Sequence, residues 1–445
     1  MTDFDYQVKY QRAFEAVMWA IPAVSMYRFR AAAFDDLGAN NNDILAYSAP
    51  ASPRLEALTA NSSIPYIAAY ADLRNGPVVL DLPAASDGAS LYGQVVDAWQ
   101  LTIADVGPAG LDAGNGARYL ITPPGYDEAI PDGFLHVPSP NFRISFAFRS
   151  VPAAGRTPAD AYGYAKTLRV YDLVDAENPP EQRFLDPFTE RYATLPFYDE
   201  RYFDDVHAIV SVEPVKTEDK IIMGMLETLG IRHGRDFTPD ETAIKAMRQA
   251  AIDVYYFADA WYDENAPKRR TWADRNYFSL FMPDENRRFT YTYDDRIDTI
   301  ARVMQYALGT YVPKELSTTP VNEYLSAFGD STGKLLQGGK TYRMDIPADM
   351  PVRQFWSVTV YDRATFSFIY SESDRTTLSA FDVPGMTKNG DGTVSLYIGP
   401  VAPDGLESNW IPTSGKRPLP TIRFYGAEPA LYDGTFRMPD VVAIS

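Results

Sequence analysis

The side chains that could carry out catalysis are few and lie far apart in the sequence. Histidine occurs only three times, at His136, His207 and His233, and no two of these residues have the spacing of a metal-binding pair. A zinc site built on histidines is therefore not expected, although a metal held by carboxylates and one histidine stays open. The chain has 0 cysteines, which excludes disulfides and thiol catalysis. The sequence assigns no cofactor.

Three polar residues are the best candidates for a catalytic site: Asp97, His136 and Arg143. His136 precedes a predicted strand and could be a general base or a hydrogen-bonded structural histidine. Asp97 stands beside aromatic residues in VVDAW, and a carboxyl group against an aromatic wall can have the raised pKa of a general acid. Arg143 shares the polar face of a strand with Arg149. If that face borders a cleft, a guanidinium could bind a carboxylate through two hydrogen bonds; otherwise the face is solvated.

Four aromatic residues are expected to wall a binding pocket: Tyr66, Trp99, Trp356 and Trp410. Aromatic residues make up 13% of the chain, and their flat surfaces suit sugars or planar organic ligands. A high β-sheet content explains the same composition. Trp356 alternates with Val358 and Val360, so it is also a core candidate and cannot fill both roles.

The GKT at residues 339–341 does not have the context of a phosphate-binding loop. Such a loop needs a glycine five residues before the GK glycine, and Lys334 stands there instead. The residues that follow alternate apolar and polar side chains, with Tyr342, Met344 and Ile346 on one face. This period predicts a strand where a nucleotide-binding loop would begin a helix. We therefore expect no nucleotide at this position.

The apolar periodicity divides the chain into four segments. A helical segment is predicted over residues 1–45, a β-sandwich over 46–175, a linker with a helical domain over 176–330, and a second β-sandwich over 331–445. The predicted fold class is therefore a multi-domain α and β protein. It has two antiparallel β-sandwich domains with a helical segment between or beside them.

The bulk composition limits the partners of this chain. The formal net charge of -18 argues against nucleic acid and anionic membranes, since both need basic patches. No run of eighteen apolar residues predicts membrane insertion. A small-molecule ligand is the expected partner, and a homo-oligomer stays open. The first residues do not form a signal peptide. A secreted protein with its signal removed would look the same, so a cytoplasmic location and a periplasmic or secreted one stay undecided.

Two sets of motifs resemble known protein domains. The residues Asp330, Gly333, Leu336 and Gly339, followed by WSVTVYD and NGDGTVSLYIG, resemble a domain of unknown function, DUF1214. The stretches YIAAYADLRNGPVVLDLP, YGQVVDAWQLTIADVG and ARYLITPPGY resemble its companion domain, DUF1254. One position departs from the family pattern: in TANSSIPY, Ser63 stands where the family has an aspartate. Any chemistry that this aspartate performs in relatives is not expected here.

The resemblance implies two jelly-roll-like β-sandwiches with a helical part, and hydrolysis of small organic molecules. We therefore predict a hydrolase, or less specifically a lyase, that acts on a small carbohydrate-like or aromatic substrate in a cleft where the β domains meet. The alternative is a non-catalytic ligand-binding or oligomeric assembly protein. Turnover of a compound panel separates the two hypotheses.

Overall fold

The computed structural model describes residues 3–153, 155–309, 322–371 and 373–444. Within these residues the protein is a mixed α and β fold that divides into two compact units. The first unit comprises residues 1–50, 64–257 and 288–315, and the second comprises residues 51–63, 258–287 and 316–445. The four segments predicted from the sequence stay predictions, and the segment 176–330 includes residues outside the described part.

Six α-helices lie in the described residues: α1 (Phe4–Asp35), α2 (Pro158–Ala165), α3 (Arg201–Val210), α4 (Lys220–Glu227), α5 (Glu241–Asn265) and α6 (Thr299–Leu308). None of these helices combines the length and apolar character needed to span a membrane. Helix α1 lies within residues 1–45, for which the sequence predicts a helical segment. It continues through Pro22, although a proline removes one helical hydrogen bond. Ile21 and Val24 on either side are fully buried, and their packing outweighs that loss.

The strands of the described residues are, in chain order, β1 (Ile44–Ala46), β2 (Leu55–Glu56), β3 (Tyr66–Asp72), β4 (Val78–Leu82), β5 (Ala89–Val96), β6 (Thr102–Val106), β7 (Ala117–Thr122), β8 (Phe134–Pro138), β9 (Arg143–Pro152), β10 (Arg169–Asp172), β11 (Phe184–Leu185), β12 (Tyr192–Ala193), β13 (Tyr277–Ser279), β14 (Asn322–Ala327), β15 (Tyr342–Ile346), β16 (Val352–Asp362), β17 (Thr377–Ser379), β18 (Val394–Gly399), β19 (Trp410–Pro412), β20 (Pro418–Ala427) and β21 (Val442–Ala443).

In the first unit, a six-stranded sheet of order β11-β1-β3-β9-β5-β6 and a four-stranded sheet of order β10-β4-β7-β8 share one hydrophobic core. Phe146 from the larger sheet and Tyr119 from the smaller sheet both lie in this core. Ile144, Phe146 and Phe148 of β9 are buried, which confirms the predicted strand with Arg143 and Arg149 on its polar face. Arg143 therefore lies on the opposite face of the six-stranded sheet.

In the second unit, a five-stranded sheet of order β13-β14-β20-β16-β17 and a four-stranded sheet of order β19-β18-β15-β21 share another core. Trp356, Val358 and Val360 of β16 lie in that core with exposed fractions of 6%, 0% and 1%, as the alternation predicts. The predicted strand at Tyr342–Ile346 is also present.

Most neighbouring strands pair antiparallel, as predicted, but three described pairs are parallel. These are β1 with β11, β7 with β8, and β18 with β19. In each pair one strand is the edge of its sheet. Parallel strands need a crossover connection instead of a tight hairpin, and in each pair an intervening segment of the chain separates the two strands.

Candidate functional site

A narrow cleft in the first unit is bordered by α1, the beginning of β9, the turn after β5, and α3 with the residues that follow it. Six residues give the cleft its chemical character: Tyr27, Arg30, Ala98, Arg143, Ser145 and Glu213. The cleft has about 320 Å³ of empty space, including the part that is open to solvent. The cavity volume inside the cleft is about 20 Å³, which admits one end of a small molecule, a group of about one or two water molecules in size.

Arg143, predicted from the sequence, is the first residue of β9 and lines this cleft. Its Nη1 donates to the backbone carbonyl of Ala208 at 3.1 Å, and its Cζ lies 5.7 Å from the centre of the Tyr27 ring. Its Nε is buried and has no hydrogen-bond partner. The guanidinium is therefore fixed on one edge and retains an unused donor on the other.

Arg30 on α1 is the second cation of the cleft. Its Nη2 donates to Asn41 Oδ1 at 3.1 Å, and its Cζ lies 4.0 Å from the centre of the Phe34 ring. The Arg30 Nε is also buried without a partner. Burial lowers the pKa of Arg30, and the positive charge of Arg143 lowers it further. Two like charges therefore act on each other in this cleft.

Glu213, which follows α3, is the carboxyl group among the cleft residues. It is 3% exposed. Its Oε2 accepts the backbone N–H of Phe142 at 2.8 Å, and its Oε1 accepts that of Arg143 at 3.1 Å. Burial raises the pKa of Glu213, while these two N–H groups and the charge of Arg143 oppose the rise. A buried carboxyl group with a raised pKa is a candidate proton carrier.

Asp97 lies in the turn after β5, next to Ala98 of the cleft wall. Its Oδ1 accepts the backbone N–H groups of Trp99 at 2.9 Å and Leu101 at 2.8 Å, whereas its Oδ2 is buried without a partner. Burial raises the pKa of Asp97 to about 6, against the backbone hydrogen bonds and the charges of Lys216 and Arg302. The structure thus brings the turn of Asp97 to the same cleft as Arg143.

The other predicted residues of the first unit lie elsewhere. His136 is an exposed residue of the edge strand β8, where its Nε2 is 3.0 Å from Thr122 Oγ1. Tyr66 begins β3 and lies under the guanidinium of Arg149, with 4.4 Å from Cζ to the ring centre. Trp99 is 7% exposed and packs against Trp19, with ring centres 4.5 Å apart.

Trp356 and Trp410 belong to the second unit. Trp356 lies in the hydrophobic core, so of its two predicted roles it fills the structural one. Trp410 begins β19 and is half-buried, and its Nε1 donates to the carbonyl of Gly399 at 2.9 Å.

A polar sheet face in the second unit was not predicted from the sequence. Its centre is Arg423, which is 1% exposed. Arg423 donates from Nη1 to Thr359 Oγ1 at 2.9 Å, from Nη2 to the carbonyl of Thr59 at 3.1 Å, and from Nη2 to the hydroxyl of Tyr361. Its hydrogen-bond partners are hydroxyl and carbonyl groups without charge.

Ser63, the residue that departs from the family pattern, lies at the same face. Its Oγ donates to Ser357 Oγ at 3.1 Å. Ser357 is directly opposite Arg423 in the pairing of β16 with β20. Asn61, from the same stretch of sequence, donates from Nδ2 to the hydroxyl of Tyr425 at 2.7 Å. The stretch TANSSIPY therefore contributes polar groups to the sheet face around Arg423.

Metal-binding geometry is missing from the part of the chain that the structure describes, since no group of three or more histidine, aspartate and glutamate side chains is arranged to hold an ion. The residues that line the cleft offer hydrogen bonds and charge. They offer no recognisable cofactor cradle.

Comparisons with known proteins identify the class to which this chain belongs. Residues 41–172 match the protein of unknown function DUF1254, and residues 321–429 match the protein of unknown function DUF1214. The chain is therefore a member of the two-domain DUF1254/DUF1214 family, as the sequence motifs predict. No curated protein is significantly similar to it.

Solved structures similar to this chain include the following two. The VPA0106 protein from Vibrio parahaemolyticus is 17% identical, with a TM-score of 0.56, over 98% of this chain and 100% of that chain. An uncharacterised protein from Burkholderia cenocepacia is 13% identical, with a TM-score of 0.41, over 99% of this chain and 95% of that chain. The likeness to the Vibrio protein concerns the fold alone.

Proposed function

We propose that this protein is a hydrolase, or less specifically a lyase, that acts on a small aromatic or carbohydrate-like molecule in the cleft of the first unit. The observation that supports the proposal is the presence of Arg143, Arg30 and the buried carboxyl group of Glu213 on the walls of one cleft. Cations that orient a substrate and a carboxyl group that transfers protons are the minimum that such a reaction needs.

In the hydrolytic reaction, a water molecule adds to the electrophilic carbon of the substrate and the bond from that carbon to the leaving oxygen breaks. Glu213 donates its proton to the leaving oxygen and regains a proton from the attacking water. Burial raises the pKa of Glu213, which is the direction of shift that a proton donor needs. The ring of Tyr27 provides an apolar surface for the substrate, and Asp97 could return protons from the neighbouring turn.

Non-catalytic ligand binding is the alternative, and one observation favours it. Both carboxyl oxygens of Glu213 accept backbone N–H groups, which is an arrangement that also serves structure alone. An oligomeric assembly protein without a small ligand is the third candidate, and it predicts neither turnover nor binding.

We also propose that the two sheets of each unit form a β-sandwich of the jelly-roll kind. The supporting observation is that side chains from both sheets enter one core in each unit.

The experiment is a panel of small aromatic and carbohydrate-like esters, amides and glycosides, assayed for product and for a shift in melting temperature. The proposal expects turnover of at least one compound, with a loss of at least tenfold in kcat for Glu213→Gln. Shifts in melting temperature without any product would favour the binding alternative. Turnover that Glu213→Gln leaves unchanged would contradict the assigned role of Glu213.

A further inference from the structure

We infer that the cleft of the first unit binds a carboxylate group of its ligand, with Arg30 and Arg143 as the two cations and the ring of Tyr27 as an apolar wall. This inference deepens the proposed function. It rests on the proposed function for one point, namely that the ligand binds in this cleft. It names the substrate class as small organic acids.

The hydrogen bonding of the two arginines is the first reason. Each guanidinium uses one terminal nitrogen for a protein acceptor, Asn41 for Arg30 and the carbonyl of Ala208 for Arg143. In both residues the Nε is buried and has no partner. A buried donor without an acceptor destabilises the protein. A carboxylate is the acceptor that matches the edge of a guanidinium, because it can take two parallel hydrogen bonds.

The charge balance of the cleft is the second reason. The positive charge of Arg143 acts on Arg30, so the two cations repel each other. Two carboxyl groups that interact with these cations, Asp72 with Arg30 and Glu213 with Arg143, are engaged by other donors. Asp72 accepts from Arg74 Nη2 at 2.6 Å and Nε at 2.9 Å, and Glu213 accepts two backbone N–H groups. A ligand anion would relieve the repulsion between the two arginines.

The shape of the cleft selects a carboxylate among the possible anions. A carboxylate is small and carries one charge, so it can enter a cavity of about 20 Å³ that is lined by the ring of Tyr27. A phosphate group has three terminal oxygens and more charge, and it needs more donors than the two free Nε positions supply. A neutral sugar would bring no negative charge to offset the repulsion between Arg30 and Arg143.

The test is isothermal titration calorimetry of the whole chain with two matched pairs of probes, benzoate against benzamide and glucuronate against glucose, and with phenyl phosphate. The acid of at least one pair is expected to bind at least tenfold more tightly than its neutral partner and than phenyl phosphate. Arg143→Gln and Arg30→Gln should each weaken the binding of that acid at least tenfold. Arg143→Lys, which keeps the charge but loses the planar fork, should weaken it by a smaller factor.

Arg149→Gln is the matched control, because Arg149 lies on the same strand face as Arg143 and its guanidinium contacts Tyr66 outside the cleft. The Arg149→Gln variant should bind the acid with the affinity of the unchanged protein. All variants should have melting temperatures within a few degrees of that protein. Lack of binding by both acids, equal binding of acid and neutral partner, tighter binding of phenyl phosphate, or equal loss in Arg149→Gln would each overturn the inference.

Binding and turnover measured together distinguish a failure of this inference from a failure of the proposed function. Binding of an acid without turnover of any acid ester or amide would refute the hydrolase and leave the carboxylate site standing. Turnover of neutral compounds that benzoate and glucuronate do not inhibit would refute the carboxylate site and leave the hydrolase standing.

Discussion

The carboxyl group of Glu213 accepts hydrogen bonds from the backbone at the beginning of β9, including the N–H group of Arg143. Its Oε1 accepts the backbone N–H of Arg143 at 3.1 Å, and its Oε2 accepts that of Phe142 at 2.8 Å. The guanidinium of Arg143 donates to the carbonyl of Ala208 instead. One carboxyl group therefore fixes where the strand begins, and it leaves the unused donor of Arg143 available to a ligand.

Glu213→Gln should reduce stability as well as any activity. A glutamine has a single acceptor oxygen, so one of the two backbone N–H groups would lose its partner. The expected loss is about 1–3 kcal/mol in the free energy of unfolding, the usual effect of an unsatisfied buried donor. Urea denaturation at pH 7 measures it. Glu218→Gln, which replaces another glutamate of the same unit, is a control, and an equal effect there would contradict the role of Glu213.

The free energy of unfolding should fall as the pH rises from about 4 to about 6, because Asp97 loses its proton over this range. Its pKa is raised from 3.8 to about 6 in the folded state, so the folded protein binds the proton more tightly than the unfolded chain does. The stabilisation is complete below pH 4 and is lost as the pH rises through 6. The difference of about 2 pKa units corresponds to about 3 kcal/mol.

Asp97→Asn checks this prediction. The asparagine Oδ1 can still accept the N–H groups of Trp99 and Leu101, which both bind Oδ1 of the aspartate. The variant should therefore keep its turn and lose the slope of stability between pH 4 and pH 6. Thermal unfolding at several pH values gives the slope, and an unchanged slope would show that Asp97 does not titrate as expected.

Trp356→Ala should be among the most damaging substitutions in the second unit. The side chain is 6% exposed and lies in the core with Val358 and Val360. Truncation of a large core side chain lowers the free energy of unfolding by about 3–5 kcal/mol. Chemical denaturation followed by a probe in the second unit measures this loss. A change below about 0.5 kcal/mol would be the value of a surface position and would contradict the burial of Trp356.

Ser63→Asp should stabilise the second unit at neutral pH. Ser63 contacts Ser357, which lies opposite Arg423, and side chains at such positions are about 5 Å apart at Cβ. An aspartate there would give the buried guanidinium a carboxylate partner. The melting temperature should rise at pH 7 and fall towards that of the unchanged protein below pH 4. Ser63→Asn, which has the same shape without the charge, should show no such pH dependence, and equal behaviour of both variants would contradict the prediction.

Local patterns predicted the elements well and predicted the site only in part. The alternation of Ile144, Phe146 and Phe148 defined β9, and it placed Arg143 on the face that borders the cleft. These assignments depend only on residues that are neighbours in sequence, because side chains alternate between the two faces of a strand.

The remaining cleft residues left no local signal. Tyr27 and Arg30 lie on α1, and Glu213 follows α3. They come together only because α1 packs on a sheet face that is formed far along the chain. Arg423 was missed for a related reason, because one arginine in the strand PTIRFYG is typical of a solvated position. Its burial depends on a segment more than 300 residues earlier, which contains Thr59, and the strand's own residues do not indicate that contact.

The most direct test of the cleft as the ligand site is a crystal structure of the protein grown or soaked with sodium benzoate. The account predicts density for the carboxylate against Nε of Arg143 and Nε of Arg30, with the phenyl ring along Tyr27, and no such density in crystals of Arg143→Gln. Benzoate bound elsewhere while the cleft stays empty would contradict it.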